Sequence, residues 1–325
     1  MLHTGFPKTG TTTTQNTYHA QRAALLEHYG LLYPSIAPNH TDAMCTIFLK
    51  NPLNHITNKA RGLDEAQARD LAKEYRDTLE AEINATDWTT LLISAEGLSN
   101  LDAVELGTVR DWLAQWTDAI DVHVYVRHPL SYTRSVIQQH LKGGELLRDM
   151  YQDPPMANYK NRIRNLHRAF GADAVNIFAF EDTVASSKGL SQAFLHNVDP
   201  RFDLLEPEAK LENASMSLEA AAVLNSLNVQ VPMFVDGKPN PERAPGVLNQ
   251  IMRVKGQKFD LPPQLRARVT NTARADIEAL NGFAGRTVFA VPDSVDPDEL
   301  ENTAEPPNRD MVASLARIIN GLCKD

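Results

Sequence analysis

Apolar residues along this chain form short, strand-like runs, which alternate with longer segments in which they recur at helical spacing. The short runs at 91–93, 122–126 and 175–180 predict buried β-strands. Residues 64–85 and 104–116 instead carry apolar side chains every three or four positions, which predicts amphipathic helices. Strands that alternate with helices are typical of a parallel sheet. We therefore expect an α/β protein with a three-layer α/β/α fold, in which helices flank a central parallel sheet.

The chain is long enough, at 325 residues, to bury one large core, so we expect a single domain over residues 1–325. Two stretches interrupt the regular pattern, a long irregular region near 229–263 and an acidic, proline-rich loop at 292–309. The polar, proline-containing segment 143–165 predicts a lid or a surface beside a binding site. Met311–Leu322 predicts a terminal helix, and no internal repeat is seen.

The most informative segment is a glycine–threonine loop at residues 5–12, between a short apolar strand end and a helix-like stretch. Gly5 and Gly10 fit the two glycines of the nucleotide P-loop pattern, but Thr11 stands where that pattern requires lysine. The lysine lies inside the loop instead, at Lys8. Backbone N–H groups and the dipole at a helix start attract anions, and threonine hydroxyls add donors. The loop therefore predicts a P-loop-like site for a phosphate or a similar anion.

A second candidate anion-binding group follows a later predicted strand. Val122, Val124 and Val126 alternate as in a strand, and Arg127 follows at its carboxyl end. Pro129 suits the first turn of a helix, and this helix would carry Ser135. Open α/β sheets bind ligands at the carboxyl ends of their strands, where a guanidinium can hold a phosphate with two parallel hydrogen bonds. Arg127 is therefore a candidate ligand for a phosphate at the edge of the sheet.

Both motifs resemble those of sulfotransferases, in particular bacterial-type members, which use 3′-phosphoadenosine 5′-phosphosulfate (PAPS) as sulfuryl donor. Phe6-Pro7-Lys8-Thr9-Gly10-Thr11-Thr12 resembles the 5′-phosphosulfate loop of that family. The aromatic-Val-Arg-x-Pro run, the spaced serine and Leu141-Lys142 resemble its 3′-phosphate motif. The segment 178–182 and a late helix with Asp276 and Leu280 resemble structural parts of the family, so the likeness spans roughly residues 1–290. It implies donor contacts from Pro7, Lys8, Thr9, Gly10, Thr11, Thr12, Arg127 and Ser135.

The resemblance also implies a reaction, the in-line transfer of a sulfuryl group from PAPS to a hydroxyl or amine, with PAP as product. Lys8 would neutralise the bridging oxygen as PAP leaves, and Ser135 would hold that lysine back until the acceptor arrives. The transferred group carries a single negative charge, so no metal ion is expected. Arg253-Val254-Lys255-Gly256 is either a counterpart of the family's late basic loop or a solvated charged loop.

An alcohol acceptor needs a general base near its hydroxyl. The first candidate is Glu96, which follows a predicted buried strand; its alternative role is a carboxylate at a helix N-terminus. The second is His40 in a polar loop, whose alternative role is an ordinary surface histidine. His19 and His55 are weaker candidates. We favour Glu96.

The composition narrows the classes of partner. A net charge of −9 argues against nucleic-acid binding and makes a heavily sulfated polymer an awkward acceptor, because long-range repulsion opposes encounter. No run of about 18 apolar residues predicts a membrane span, and no basic-then-apolar leader precedes the loop. Cys45 and Cys323 lie far apart in segments expected near the surface, and predict neither a disulfide framework nor a metal site. These features lead us to expect a cytoplasmic protein. The small-molecule or glycan acceptor, with a carbohydrate or glycolipid hydroxyl as the default, is implied only by analogy with the family that the motifs resemble.

Two other functions share part of this pattern. A P-loop kinase or NTPase would also have a glycine loop, but Thr11 in place of lysine and the lack of an evident Mg²⁺ carboxylate argue against it. A non-catalytic nucleotide-binding protein would keep Lys8 and Arg127 and lack a working base. The sequence specifies neither the acceptor nor an oligomeric state.

Overall fold

The computed structural model describes residues 1–208, 215–236, 238–296 and 309–323. The chain divides into two compact units, each assembled from three separate segments. The first unit comprises Met1–His128, Asn158–Leu211 and Asp276–Ala290, and the second comprises Pro129–Ala157, Glu212–Ala275 and Val291–Asp325.

The strands, in chain order, are β1 Leu2–His3, β2 Leu31–Leu32, β3 Thr90–Leu91, β4 Ile93–Ser94, β5 Val122–Val126, β6 Val175–Ala179, β7 Phe234–Val235 and β8 Lys238–Pro239. The helices are α1 Thr11–Tyr29, α2 Thr41–Phe48, α3 Ile56–Ala60, α4 Glu65–Ala85, α5 Ala103–Leu113, α6 Pro129–Lys142, α7 Leu147–Gln152, α8 Tyr159–Phe170, α9 Phe180–Val184, α10 Leu190–Val198, α11 Leu218–Gln230, α12 Val247–Ile251, α13 Pro263–Ala284 and α14 Arg309–Leu322. Short 3-10 turns lie at Pro52–Asn54 and Glu96–Asn100.

The first unit contains a four-stranded sheet in the order β4-β1-β5-β6, and all its neighbouring strands are parallel. The five residues of β5 are all buried, so the strand is covered on both faces although its valines alternate with His123 and Tyr125. Pairing of β1 with β5 continues beyond the short strand, because Thr4 N–H and Phe6 N–H donate to the carbonyls of His123 and Tyr125 at 3.0 and 2.9 Å. The predicted α/β class, with helices flanking a central parallel sheet, is confirmed.

The helices of the first unit begin and end where local chemistry dictates. The α4 helix starts at a capping box, in which Asp64 accepts from Gln67 N–H and the Gln67 side chain accepts from Asp64 N–H. The α1 helix ends at Gly30 in a left-handed conformation, which closes the last turn. Aromatic side chains fill the space between sheet and helices, with Tyr125 stacked on Phe194 at 4.7 Å between ring centres. This packing fixes α1, and with it the loop that precedes α1.

The second unit is mainly helical. Its buried cluster includes Ile137 and Leu141 of α6, Leu224 of α11 and Val312 of α14. The region predicted as irregular contains the short antiparallel hairpin β7–β8 and helix α12. Of the acidic, proline-rich loop at 292–309, residues 297–308 lie outside the described residues.

The polar segment 143–165 contains α7 and the first part of α8, and its role as a lid or as a surface beside a binding site stays a prediction. One local prediction is wrong. Cys45 is not near the surface, because this residue of α2 is only 4% exposed. Burial raises the pKa of its thiol to about 12. Cys45 and Cys323 are both free thiols. No helix in the described part of the chain is long and apolar enough to cross a membrane.

Candidate functional site

The glycine–threonine loop connects β1 to α1 and has an unusual backbone. Lys8 and Gly10 both lie in the left-handed region, with φ of 72° and 75°. A non-glycine residue pays roughly 1–2 kcal/mol for this conformation, so Lys8 is held in it by its surroundings. At Gly10 there is also no space for a side chain, since a Cβ would lie 2.3 Å from Leu190 Cδ2 and 3.0 Å from Phe180 Cε2.

Hydrogen bonds and helix geometry prepare this loop for an anion. The Thr9 hydroxyl donates to the Phe6 carbonyl at 2.7 Å and closes the turn. Gly10 is the N-cap of α1 and offers no side chain to accept from the first N–H groups of the helix. The first helical turn contains no acidic residue. The first N–H groups of a helix have no partner within the helix and favour negative charge. The loop therefore presents N–H donors and the positive end of the helix dipole, the features that attract a phosphate or a similar anion.

The structure brings Arg127 to this loop. Its Nη1 donates to the Lys8 carbonyl at 2.8 Å, although the two residues are 119 positions apart. The guanidinium carbon lies 5.1 Å from the centre of the Phe180 ring, which supports it from one side. The Tyr159 hydroxyl donates to the Arg127 carbonyl. Arg127 therefore binds the loop backbone and places a fixed positive charge beside it.

Two segments whose sequence predicted a structural role, 178–182 and the late helix with Asp276, help to position the residues around Arg127. Glu181, at the start of α9, accepts from His128 N–H at 3.0 Å and so holds the carboxyl end of β5. Asp276 accepts from the N–H groups of Tyr159 and Lys160 at 2.9 and 2.7 Å, which caps the N-terminus of α8. Both carboxylates act through the backbone of the residues that surround Arg127.

Glu96 lies at the loop, as its place after β4 predicted. The Thr11 hydroxyl donates to Glu96 Oε2 at 2.9 Å. The carboxylate is half-buried, and Oε1 has no hydrogen-bond partner among the described residues. The turn is held by Gly97 N–H, which donates to the Thr41 hydroxyl at 3.2 Å. Glu96 thus combines a fixed orientation with one available oxygen.

His40 has a different environment. Its side chain is fully buried, Nδ1 accepts from Ser94 N–H at 3.0 Å, and Nε2 donates to the Pro34 carbonyl at 3.1 Å. Burial lowers the pKa of His40 to about 4. Both ring nitrogens are used by the backbone, so this histidine fastens α2 to β4. Among the weaker candidates, His55 contacts Asp42 at 2.9 Å and His19 contacts the Ser35 carbonyl at 3.2 Å.

The remaining predicted residues lie in the loop or in the second unit. Ser135 is half-buried on α6 and belongs to the second unit, as does the basic segment 253–256. Pro7 and Thr12 are part of the loop, with Thr12 exposed on the first turn of α1. Among the described residues no group of three or more His, Cys, Asp or Glu side chains could hold a metal ion.

A buried polar cluster beneath the loop was not predicted. His3 Nδ1 lies 2.7 Å from the Ser94 hydroxyl, which also accepts from Gln15 at 3.1 Å. Burial, with a smaller effect of His123, lowers the pKa of His3 to about 3. A Cβ on Gly5 would lie 2.7 Å from His3 Nε2, so glycine is needed there as well. The strand is two residues long, and its sequence gives no sign of which side chains lie beneath the loop.

Comparison with known proteins gives little further information. No family model matches the chain, and no curated protein matches it. A solved structure of a sulfotransferase from Alicyclobacillus acidocaldarius aligns over 88% of this chain and 95% of that chain, with a TM-score of 0.42 and 14% sequence identity. A likeness of this strength carries no argument about function, which is therefore inferred from the residues described above.

Proposed function

We propose that this chain is a PAPS-dependent sulfotransferase, which moves a sulfuryl group to a hydroxyl or amine of a small-molecule or glycan acceptor. One observation carries the proposal: a lysine inside the glycine loop has its carbonyl bound by Arg127, and the threonine that replaces the P-loop lysine binds Glu96. A nucleoside triphosphatase uses a lysine at the position of Thr11 to reach the terminal phosphates. Here that position orients a carboxylate instead.

The donor side of the proposed site has two cationic groups. The loop N–H groups, the threonine hydroxyls and Lys8 would hold the 5′-phosphosulfate, in which Lys8 stabilises the charge on the bridging oxygen. Arg127 would hold the 3′-phosphate. From the sequence resemblance alone, Ser135 is proposed as a second ligand of the 3′-phosphate and as the group that restrains Lys8 until the acceptor arrives.

The acceptor side is proposed to depend on Glu96. Thr11 fixes Oε2, which leaves Oε1 to take the proton from the acceptor hydroxyl. The new sulfur–oxygen bond to the acceptor forms as the bond from sulfur to the bridging oxygen of PAP breaks. Positioning and electrostatics dominate such in-line transfers, so the proposed protein groups are one base, Glu96, and two cations, Lys8 and Arg127. His40 is not proposed as the base, because both its ring nitrogens are occupied and its pKa lies near 4.

The test is transfer of radiolabelled sulfate from PAPS to a panel of sugars, lipids and small alcohols. We expect transfer by the wild-type protein and its loss in Lys8→Ala. The matched control is Lys188→Ala, which removes an exposed lysine that contacts His196 at 3.2 Å. Transfer that survives in Lys8→Ala would contradict the role of the loop lysine. Binding of PAP without transfer to any acceptor would favour the non-catalytic alternative.

A further inference from the structure

Helix α8 is the basic element of an acidic protein. Its twelve residues include four lysines and arginines and no acidic residue, in a chain of net charge −9. Tyr159, Ile163, Leu166 and Ala169 form its buried face, so the charged side chains project from the flanks of the helix. A negatively charged partner would offset this concentration of positive charge.

Arg162 brings one of these charges to the loop. Its guanidinium carbon lies 5.0 Å from the centre of the Phe6 ring, and Phe6 is fully buried immediately before Pro7 and Lys8. The Phe6 ring also meets Tyr159 edge to face at 5.1 Å. Arg162 therefore lies on the flank of the glycine–threonine loop.

The same helix packs against the turn that carries Glu96. Residues of α8 contact the 3-10 turn Glu96–Asn100, and the Asn165 amide donates to the Leu101 carbonyl at 3.4 Å. Arg127 approaches the loop from the end of β5, through its bond to the Lys8 carbonyl. Helix α8, which carries Arg162, therefore contacts both the glycine–threonine loop and the turn that carries Glu96.

The charge of Arg162 has no acceptor in the part of the chain that the structure describes. Its side chain makes no hydrogen bond or ion pair there, and Nη1 is buried without a partner. Its neighbour Arg164 donates through Nη2 to Asn161 at 2.7 Å, although its Nε is likewise buried without a partner among the described residues. A half-buried cation that has lost water without gaining an acceptor is unfavourable unless a ligand supplies the negative charge.

We propose that Arg162 binds an anionic oxygen of the acceptor, beside the hydroxyl that Glu96 deprotonates. The acceptor class is then a hydroxylated compound bearing a carboxylate, such as a uronic acid. This inference rests on the proposed function, because Lys8 and Arg127 are assigned to the two anionic ends of the donor. A single carboxylate suits a lone guanidinium, whereas a polyanion would be repelled by the net negative charge.

The experiment compares matched acidic and neutral probes. Binding of glucuronate and galacturonate, against glucose and galactose, is measured by saturation-transfer NMR on the PAP-bound wild type, Arg162→Gln and Arg168→Gln. Arg168 is exposed on the same helix, so its variant removes the same charge away from the loop. Transfer from labelled PAPS to p-nitrophenyl glucuronide and glucoside gives the corresponding kinetics.

We expect the wild type and Arg168→Gln to prefer the acids, and Arg162→Gln to bind them about tenfold more weakly with PAP affinity within about twofold of wild type. No preference for the acids in PAP-bound wild type, or equal losses for acidic and neutral probes, would overturn the inference. A large loss of PAP affinity in Arg162→Gln would also overturn it, by assigning Arg162 to the donor. Failure of the wild type to bind PAP would instead reject the proposed function.

Discussion

Substitution of Gly10 by alanine tests the geometry of the loop most sharply. The residue has a φ of 75°, and a Cβ there would approach Leu190 Cδ2 to 2.3 Å and Phe180 Cε2 to 3.0 Å. The left-handed backbone costs alanine about 1–2 kcal/mol, and overpacking adds about 1–3 kcal/mol. We expect Gly10→Ala to lower the free energy of unfolding by about 2–5 kcal/mol.

The chain offers a matched control for the backbone part of this cost. Gly62 has a φ of 69°, and a Cβ there would have no atom within 4 Å. Gly62→Ala should therefore cost only the backbone term of about 1–2 kcal/mol. Urea denaturation of the two variants gives the steric term as their difference, and adding Leu190→Ala to Gly10→Ala should recover part of it.

The loop variant should also lose ligand affinity, because displacement of Phe180 disturbs the ring that supports Arg127. Calorimetry with PAP should show weaker binding by Gly10→Ala and unchanged binding by Gly62→Ala. Equal stability losses in the two variants, with no recovery on adding Leu190→Ala, would refute the packing described for the loop.

Three further predictions concern individual residues. Arg127→Ala should weaken PAP binding about 100-fold, because two charge-assisted bonds to the 3′-phosphate are lost. AMP lacks that phosphate, so its affinity should fall only slightly. Equal losses of PAP and AMP affinity in calorimetry would contradict the assignment of Arg127 to the 3′-phosphate. Glu96→Gln should lower kcat for sulfuryl transfer about 100-fold or more at unchanged PAP affinity, and a normal kcat would exclude Glu96 as the base. The pKa of His40 falls from 6.5 to about 4 on folding, so the unfolded chain binds more protons between these values. Stability contributed by the neutral ring is present above pH 6.5 and lost as the pH falls toward 4, by at most about 1.4 kcal/mol per unit. His40→Gln should flatten that slope in urea denaturation, and an unchanged slope would contradict burial of the ring.

The parts of the fold and site that sequence reasoning reached are those with local causes. Alternating valines specify β5, Pro129 starts α6, and apolar residues at helical spacing specify α4, so all three elements were predicted within a few residues. The loop was recognised because glycines and a displaced lysine are adjacent in sequence. Glu96 was placed correctly because parallel strands end at one edge of the sheet.

What sequence reasoning missed depends on contacts between distant residues. The burial of His40 results from its bonds to Ser94 and Pro34, and a polar loop in the sequence gives no sign of them. Helix α8 was not predicted, although its buried residues recur at helical spacing, because its start depends on a cap from Asp276, 117 positions away. Arg162 is notable only once Phe6 is known to lie beneath it.

The most direct measurement of the central claim is calorimetric titration of the wild-type protein with PAP and, separately, with ATP in the presence of Mg²⁺. The lysine within the loop and Arg127 at the end of β5 predict binding of PAP without a metal ion, and ATP binding at least about 100-fold weaker. Tight binding of ATP with no binding of PAP would contradict the account and would favour a nucleoside triphosphatase instead.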